Sequence, residues 1–455
     1  MPINTGGSSM KSRMNKSAKT GLLLLVLSAC IFLAAGEAFK RSTPLGAMDF
    51  KVLYFGARCF IHHCDPYNVE ELKHFYDASN LSTASDPSVI RYVVTEYVYL
   101  PTTFLITGLF ATLPWGFASL LWTLLTSAAL ITSAVLIWTL CAKRAPVLAG
   151  CLIGFWLASS TVIFAGGNAV GLAVSCCVIA VWCFLKERWA LAGIVCLTIS
   201  LLLKPHDSGL IWLYFLLAGG SYRKRALQTL ALTAVLAVGA LLWASQVAPH
   251  WAHEQAFNLS LISAHGGMND PAPGSSVDRT AGLVIDLQSV VSIFRSQPRF
   301  YNSASYAICG ILILAWSILT LRLPRSPQRA WLALAAIVPL TLLITYHKPY
   351  DAKLLLLTLP ACIQLCSGRR SLRNLALLLT SLGIVCTADI PLAVFYLMTS
   401  SLHPQFGSFP QKIAAILITR PVTILLLLMA LFFLSRYASA DDPVDGPPHQ
   451  PDSPS

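Results

Sequence analysis

Residues 115–141 read WGFASLLWTLLTSAALITSAVLIWTLC, a run without one charged side chain. A helix needs about 20 consecutive apolar residues to cross a bilayer, and this run exceeds that. It is not isolated. Apolar segments near 21–39, 97–113, 147–165, 168–185, 189–203, 206–219, 226–247, 303–321, 329–346, 352–367, 372–400 and 412–436 flank it on both sides. Of the 455 residues, 56% are apolar and only 11% charged, against roughly 25% charged in an average soluble domain. That excludes an ordinary soluble protein, and the pervasive hydrophobicity excludes a disordered chain. The 13 cysteines do not mark a small secreted scaffold, because the chain is too long and most of them (Cys30, Cys141, Cys151, Cys176, Cys177, Cys183, Cys196) lie inside apolar runs. The reading that remains is an all-α integral membrane protein with about 12–13 membrane segments.

The charge pattern orients it. The formal net charge is +12, and it is spent on short basic loops, so it points to anionic lipid and not to nucleic acid. These loops are Lys143-Arg144, Lys186 with Arg188, Arg223 to Arg225, Arg322 with Arg325 and Arg329, Arg369-Arg370 with Arg373, and Arg436. Alternating outward from Arg223, all of them fall on one side, the cytoplasmic one. The basic residues Lys11, Arg13, Lys16 and Lys19 before Gly21 resemble the start of a signal peptide. The run they introduce extends to about Phe39, so it is read as a retained first span behind a cytoplasmic tail, 1–20.

This topology puts two long polar regions outside, 40–96 and 248–302, and leaves one conflict. Both 40–96 and the region near Pro114 face outward, so 97–113 cannot be a simple crossing; short and interrupted by Pro101, it reads as re-entrant or interfacial. The membrane domain is taken as 21–437, and the Pro-rich acidic tail 438–455 reads as disordered.

Ionisable groups away from the basic loops collect outside. Nine of the ten histidines lie there, all but His449. Water contact alone explains an outer-loop histidine such as His74 or His265. An ionisable group at the membrane edge is costly and marks a functional site by default. Four places stand out. In the first, Met48 to Arg58 followed by Asp65-Pro66-Tyr67, a helix would carry Tyr54, Ala57, Arg58 and Ile61 on one face. Asp49 lies in its first turn, as a cap worth about 1 kcal/mol or as a carboxylate facing the membrane edge near free backbone N–H groups. The second, Glu96 to Pro101, has the aromatics of an interfacial belt. The third joins Gly166-Gly167-Asn168 to Lys204-Pro205-His206-Asp207. The fourth is Tyr346 to Lys353, again cationic, with His347, Lys348 and Asp351. Lysine-rich outer loops run against the usual bias, and such cations suit a phosphate at the bilayer surface.

No phosphate-binding Gly-rich loop, HExxH, paired CxxC or dinucleotide fingerprint occurs, so no cofactor is expected. No DxD-type acidic pair stands in the first outer loop, so no bound metal is demanded. Cys59 and Cys64 lie outside and close in sequence; a disulfide between them stays open, since a continuous helix would hold them apart.

The stretch DFKVLYFGARCFIHHCDPY, from Asp49, resembles the signature of glycosyltransferase family 87, polyprenyl-phosphate-sugar-dependent, mannosyltransferase-like membrane enzymes of the GT-C class. Similarity continues through Tyr99-x-Pro101, Gly167-Asn168, Lys204-Pro205 and Tyr346 to Asp351, spanning about 49–360. Asn168 stands where the family tends to show Gln, and His63 where Gly is common. The resemblance implies a GT-C helical bundle with a large first outer loop carrying short helices and an outward-facing active site in the plasma membrane. It implies transfer of a hexose, typically mannose, from a polyprenyl phosphate to a lipid-linked or glycan acceptor. Asp49 matches the general base. The residue chemistry agrees: a carboxylate takes the acceptor proton, and cations stabilise the departing phosphate. Lys204, His206, His347, Lys348 and Arg58 are the phosphate candidates, with Tyr54, Asp65, Tyr67, Asn168, Asp207 and Asp351 as further site candidates. A transporter or flippase for a lipid-linked or anionic substrate is the competing class; it calls for polar groups at mid-membrane, where these spans carry almost none.

Overall fold

The computed structural model describes residues 16–43, 46–78, 93–267, 269–272, 284–366, 368–399 and 407–439, and its described residues contain helices and no strand. Most of the tail 1–20, nearly all of 438–455, and His403 and His449 lie outside the described residues.

In chain order the α-helices are α1 (Lys16–Ser42), α2 (Met48–Ile61), α3 (Val69–Ala78), α4 (Phe104–Ala111), α5 (Trp115–Cys141), α6 (Pro146–Ala158), α7 (Thr161–Gly166), α8 (Ala169–Leu185), α9 (Ala190–Leu203) and α10 (Pro205–Ala218). There follow α11 (Gly220–Val247), α12 (Trp251–Ser263), α13 (Leu287–Phe294), α14 (Pro298–Arg322), α15 (Pro327–Ile344), α16 (Leu359–Leu365), α17 (Arg370–Cys386), α18 (Asp389–Thr399), α19 (Phe409–Thr419) and α20 (Pro421–Ala438).

Among the described residues, seven helical stretches are long and apolar enough to span a membrane: α1, α5, the α6–α7 pair, α11, α14, α15 and α20. The bent pair α17–α18 makes eight. By that measure the structure has fewer crossings than the twelve or so apolar runs of the sequence. The difference is five runs, 97–113, 168–185, 189–203, 206–219 and 352–367, which hold no helix of 18 residues. The 372–400 run is the one bent pair, turning by 75° where α17 gives way to α18, and the 412–436 run keeps one span, α20, after a break at Arg420. The 352–367 run is a 3-10 turn (Asp351–Thr358) leading into α16, buried against its neighbours over most of its length. Runs 168–185 and 189–203 form α8 and α9, shorter apolar helices.

α5 shows how the lipid and core faces are divided. Phe117, Leu120, Leu121 and Leu124 point outward, while Ala118, Trp122, Leu130 and Ala134 are buried. Small residues let α1 approach α6 and α7. A side chain at Gly150 would meet the Gly21 backbone, and one at Gly36 would strike the Phe164 ring. Such close backbone approach is the usual means of joining helices in lipid. Because Gly21 lies beside Pro146 and Gly36 beside Phe164, α1 runs parallel to the α6–α7 pair.

The basic loops gather at one end of the bundle. Arg225 donates to the Phe184 carbonyl at 2.7 Å, Ser221 to Glu187 at 3.1 Å, and Tyr437 to Thr320 at 3.4 Å. Gly219 and Gly220 lie under the Arg325 guanidinium.

The segment 97–113 stays at the opposite end. Its α4 has 8 residues, about 12 Å of helix against roughly 30 Å of hydrocarbon. It lies against α2. Phe104 stacks on Phe60 at 4.4 Å, and Tyr54 donates to the Leu113 carbonyl at 2.7 Å. Tyr97 is fully buried, stacked on Phe104 at 5.4 Å and edge-on to Tyr67 at 5.5 Å. These aromatics therefore pack an interior and do not form the interfacial belt their spacing suggests. α2 itself is no exposed surface helix, for Phe50, Leu53, Tyr54, Ala57 and Phe60 are all at zero exposure.

Cys59 and Cys64 form a disulfide, with Cα atoms 4.8 Å apart. A continuous helix would have separated them, but α2 ends at Ile61. His63 then takes a left-handed backbone, φ +59°, and the Cys64 N–H returns to the Cys59 carbonyl at 3.0 Å. The left-handed region is where glycine carries no penalty. That explains why a glycine is common at the position His63 occupies.

Candidate active site

Asp49 sits in the first turn of α2, whose start is capped by no side chain; Ala47 there is left-handed. The Asp49 Oδ2 accepts from Asn168 Nδ2 at 2.9 Å. Of the two roles the spacing allowed, this is the carboxylate turned across to another segment. Asn168 is itself fixed: its Oδ1 accepts from the Val170 N–H at 2.9 Å and so caps α8. The glycines before it allow the approach. A Cβ at Gly167, where φ is +67°, would come within 2.8 Å of Phe50 Cβ, and one at Gly166 within 3.0 Å of Asp49 Oδ2. Trp122 holds this turn from below, donating to the Gly167 carbonyl at 2.8 Å and stacking on Phe50 at 4.7 Å.

A second layer of charge lies beside this carboxylate. Lys204, between α9 and α10, is ion-paired to Asp351 and lies 3.7 Å from Asp207. Asp351 also accepts from the Lys348 backbone N–H at 2.7 Å. Asp207 and His347 are both fully buried and meet at 3.1 Å. His347 presents its other nitrogen to the Thr345 carbonyl at 2.8 Å. A carbonyl and a carboxylate both only accept, so both imidazole nitrogens must donate and His347 is an imidazolium. Burial alone would push its pKa down, but the Asp207 hydrogen bond and charge override that and raise it. Lys204 is likewise raised, burial being outweighed by Asp207 and Asp351. Lys348 is pushed down by burial, against Asp49 and Asp351. Burial lifts the Asp49 carboxyl above its ordinary range, in opposition to the Asn168 hydrogen bond and the charges of Lys348 and Lys204.

His206, Asp207 and His347 offer ligand atoms within 4.8 Å of one another. In this arrangement both His347 nitrogens are taken up by Thr345 and Asp207, and the Lys204 ammonium lies 3.7 Å from Asp207.

Tyrosines not singled out as site candidates from sequence line the same place. The Tyr350 ring lies 5.5 Å from the Lys204 ammonium, and the Tyr346 ring 6.0 Å from that of Lys348. Their signal was their position beside Lys348 in the fourth motif. Other candidates lie elsewhere. Arg58 donates to the Tyr54 hydroxyl and lies over its ring, so the structure does not bring it or Tyr54 to the cluster; the i, i+4 spacing turns Arg58 along its own helix. Asp65 closes a turn by accepting from the Tyr67 N–H at 2.9 Å, and the Tyr67 hydroxyl donates to the Tyr99 carbonyl at 2.9 Å. Burial, with Glu254 and Glu71 close by, pushes Asp65 up to about 7. Tyr67 thereby ties the outer loop to the 97–113 segment.

The cluster is thus one carboxylate, Asp49, held by an amide and faced by cations from segments about 155 and 300 residues further along the chain. No curated protein and no solved structure matches the chain. A family model described as Glycosyltransferase family 87 matches residues 97–346. The match takes in Asn168, Lys204, His206 and Asp207, and stops short of Asp49 on one side and of His347 to Asp351 on the other. It covers more than half of the sequence, on an all-α, multi-pass membrane scaffold. The chain belongs to glycosyltransferase family 87, a GT-C-like family of membrane glycosyltransferases.

Proposed function

We propose that this protein transfers a hexose, mannose in the first instance, from a polyprenyl-phosphate donor to a lipid-linked or glycan acceptor, with inversion. Asp49 is the general base, taking the proton of the acceptor hydroxyl as that oxygen attacks the anomeric carbon. Lys204 and Lys348 stabilise the phosphate as its bond to the sugar breaks. His347, His206, Asp207 and Asp351 set the charge and position of those lysines. Asn168 holds the carboxylate, and no residue forms a covalent intermediate. The membrane domain, 21–437, acts as one unit. Its basic end faces the cytoplasm with the amino terminus, and the cluster opens on the outer face of the plasma membrane.

The observation that carries this reading is the Asp49–Asn168 hydrogen bond, with the charges of Lys348 and Lys204 acting on that carboxylate from beyond ion-pair distance, at the end opposite the basic loops. Transport is less favoured, because the ionisable groups outside the basic loops gather at that one end and the long spans between carry few charges. The test is incubation of purified protein with labelled polyprenyl-phosphate-mannose and candidate acceptors, with a nucleotide-mannose as the control donor. Product from the lipid donor alone, with the opposite anomeric configuration, is expected. Retained configuration, or product only from the nucleotide sugar, would overturn the mechanism.

The pH profile offers a second handle. Asp49 must be ionised to act, so the rate falls as pH drops through its pKa. Asn168→Ser keeps a helix cap and removes the amide donor that favours the carboxylate. The acid limb of the rate profile is therefore expected to move to higher pH. A limb that stays in place would separate Asn168 from the base.

A further inference from the structure

A second pair of cations lies near the same end of the bundle, on the far side of α2. The Lys40 ammonium, near the end of α1, donates to Ser119 Oγ at 3.3 Å and to Thr123 Oγ1 at 3.1 Å, both on one face of α5. Lys51 lies 5.8 Å over the Trp115 ring that opens α5. Burial, and then the neighbouring Lys40 charge, push the Lys51 ammonium down from its ordinary range. The acid nearest in sequence, Glu37, is paired with Arg41 at 2.6 Å. Asp49 is two residues from Lys51, about 200° around the helix, and turns to Asn168 instead. Among the described residues, then, two half-buried ammonium groups flank the first turns of α5, Lys40 at Ser119 and Thr123 and Lys51 over Trp115. Like charges held beside one helix end away from bulk water favour an anion there.

The surroundings say what kind of anion. The neighbouring helix faces are apolar and exposed: Phe39 on α1 at 44%, and Phe117, Leu120 and Leu124 on α5 at 66%, 54% and 57%. Trp115 marks the start of a membrane-spanning helix, the level at which aromatic rings meet headgroups. An anion reaching this pair from the side arrives attached to an acyl or prenyl chain.

We propose that Lys40 and Lys51, with Ser119 and Thr123, form a binding site for the phosphate headgroup of a bilayer lipid, separate from the Asp49 cluster. The ammonium groups take the phosphate oxygens, the two hydroxyls complete its hydrogen bonds, and the exposed faces of α1 and α5 take the chain. This assignment does not depend on the transfer reaction.

The full-length protein, held in nanodiscs of zwitterionic lipid, is titrated with a short-chain phosphatidic acid, and bound lipid is counted by native mass spectrometry. The Lys40→Gln/Lys51→Gln variant is expected to bind at least tenfold more weakly than the wild type, and Lys40→Arg/Lys51→Arg to bind as the wild type does. Lys73→Gln, an exposed cation on α3, is expected to leave this binding unchanged. Should the double Gln variant fail to fold, Lys51→Gln alone is expected to weaken binding several-fold. Equal binding by the wild type and the Gln variants would overturn the proposal. So would displacement of the lipid by equimolar inorganic phosphate, since the site would then recognise a free anion.

Discussion

Asp49→Asn is expected to cut sugar transfer by about 10²–10⁴-fold, the usual contribution of a positioned general base, while the protein still folds and still binds the lipid donor. The side chains have the same shape, and the amide keeps an oxygen to accept from Asn168 Nδ2. What it lacks is the ability to accept the acceptor proton. The measurement is the transfer rate at saturating donor, together with donor affinity and the unfolding midpoint. Loss of rate with unchanged affinity and midpoint identifies the base. Transfer at the wild-type rate would remove Asp49 from the mechanism. Loss of rate with a lowered midpoint would assign it a role in folding.

Lys204→Met has the second-largest expected effect, and it acts on two readouts at once. Lys204 is 15% exposed, and its partners Asp351 and Asp207 are 1% and 0% exposed. Removing one member of a buried ion pair leaves uncompensated charge, which costs about 3–5 kcal/mol. A lowered thermal midpoint of the purified protein is therefore expected. If Lys204 also faces the leaving phosphate, transfer falls by a further 10²–10³-fold, roughly what one lost stabilising donor costs. Lys204→Arg separates the two effects: it keeps the charge and is expected to recover most of the stability. Its planar fork is not a point charge, so the rate recovers only in part. A stable, fully active Lys204→Met protein would dissolve the cluster as a functional unit.

Much of this cluster was legible in the chain because polar groups are scarce in it. In an apolar sequence Asp49, Asn168, Lys204, His347, Lys348 and Asp351 had few inexpensive places to sit, and their alternation about the basic loops put them at one end. Their mutual contacts were not legible, since they depend on turns such as the Gly166-Gly167 approach to α2. Arg58 was misplaced for the same reason. Spacing gave its helical face, but Tyr54, one turn earlier on that face, captured the guanidinium. The number of long membrane helices among the described residues falls below the number of apolar runs because hydropathy does not tell a short helix such as α8, α9 or α10 from a full-length span. The Cys59–Cys64 disulfide stayed open from sequence because its closure depends on the left-handed residue, His63, that follows the end of the helix between the cysteines.

The brevity of α9 sets where substrates must meet. It has 14 residues, about 21 Å of rise, and it climbs from Arg188 at the basic end to Lys204. The hydrocarbon is roughly 30 Å thick. Lys204 therefore stands about 9 Å short of a full hydrocarbon thickness above Arg188. On the function proposed above, a sugar carried on a lipid would have to swing inward from headgroup level to meet it.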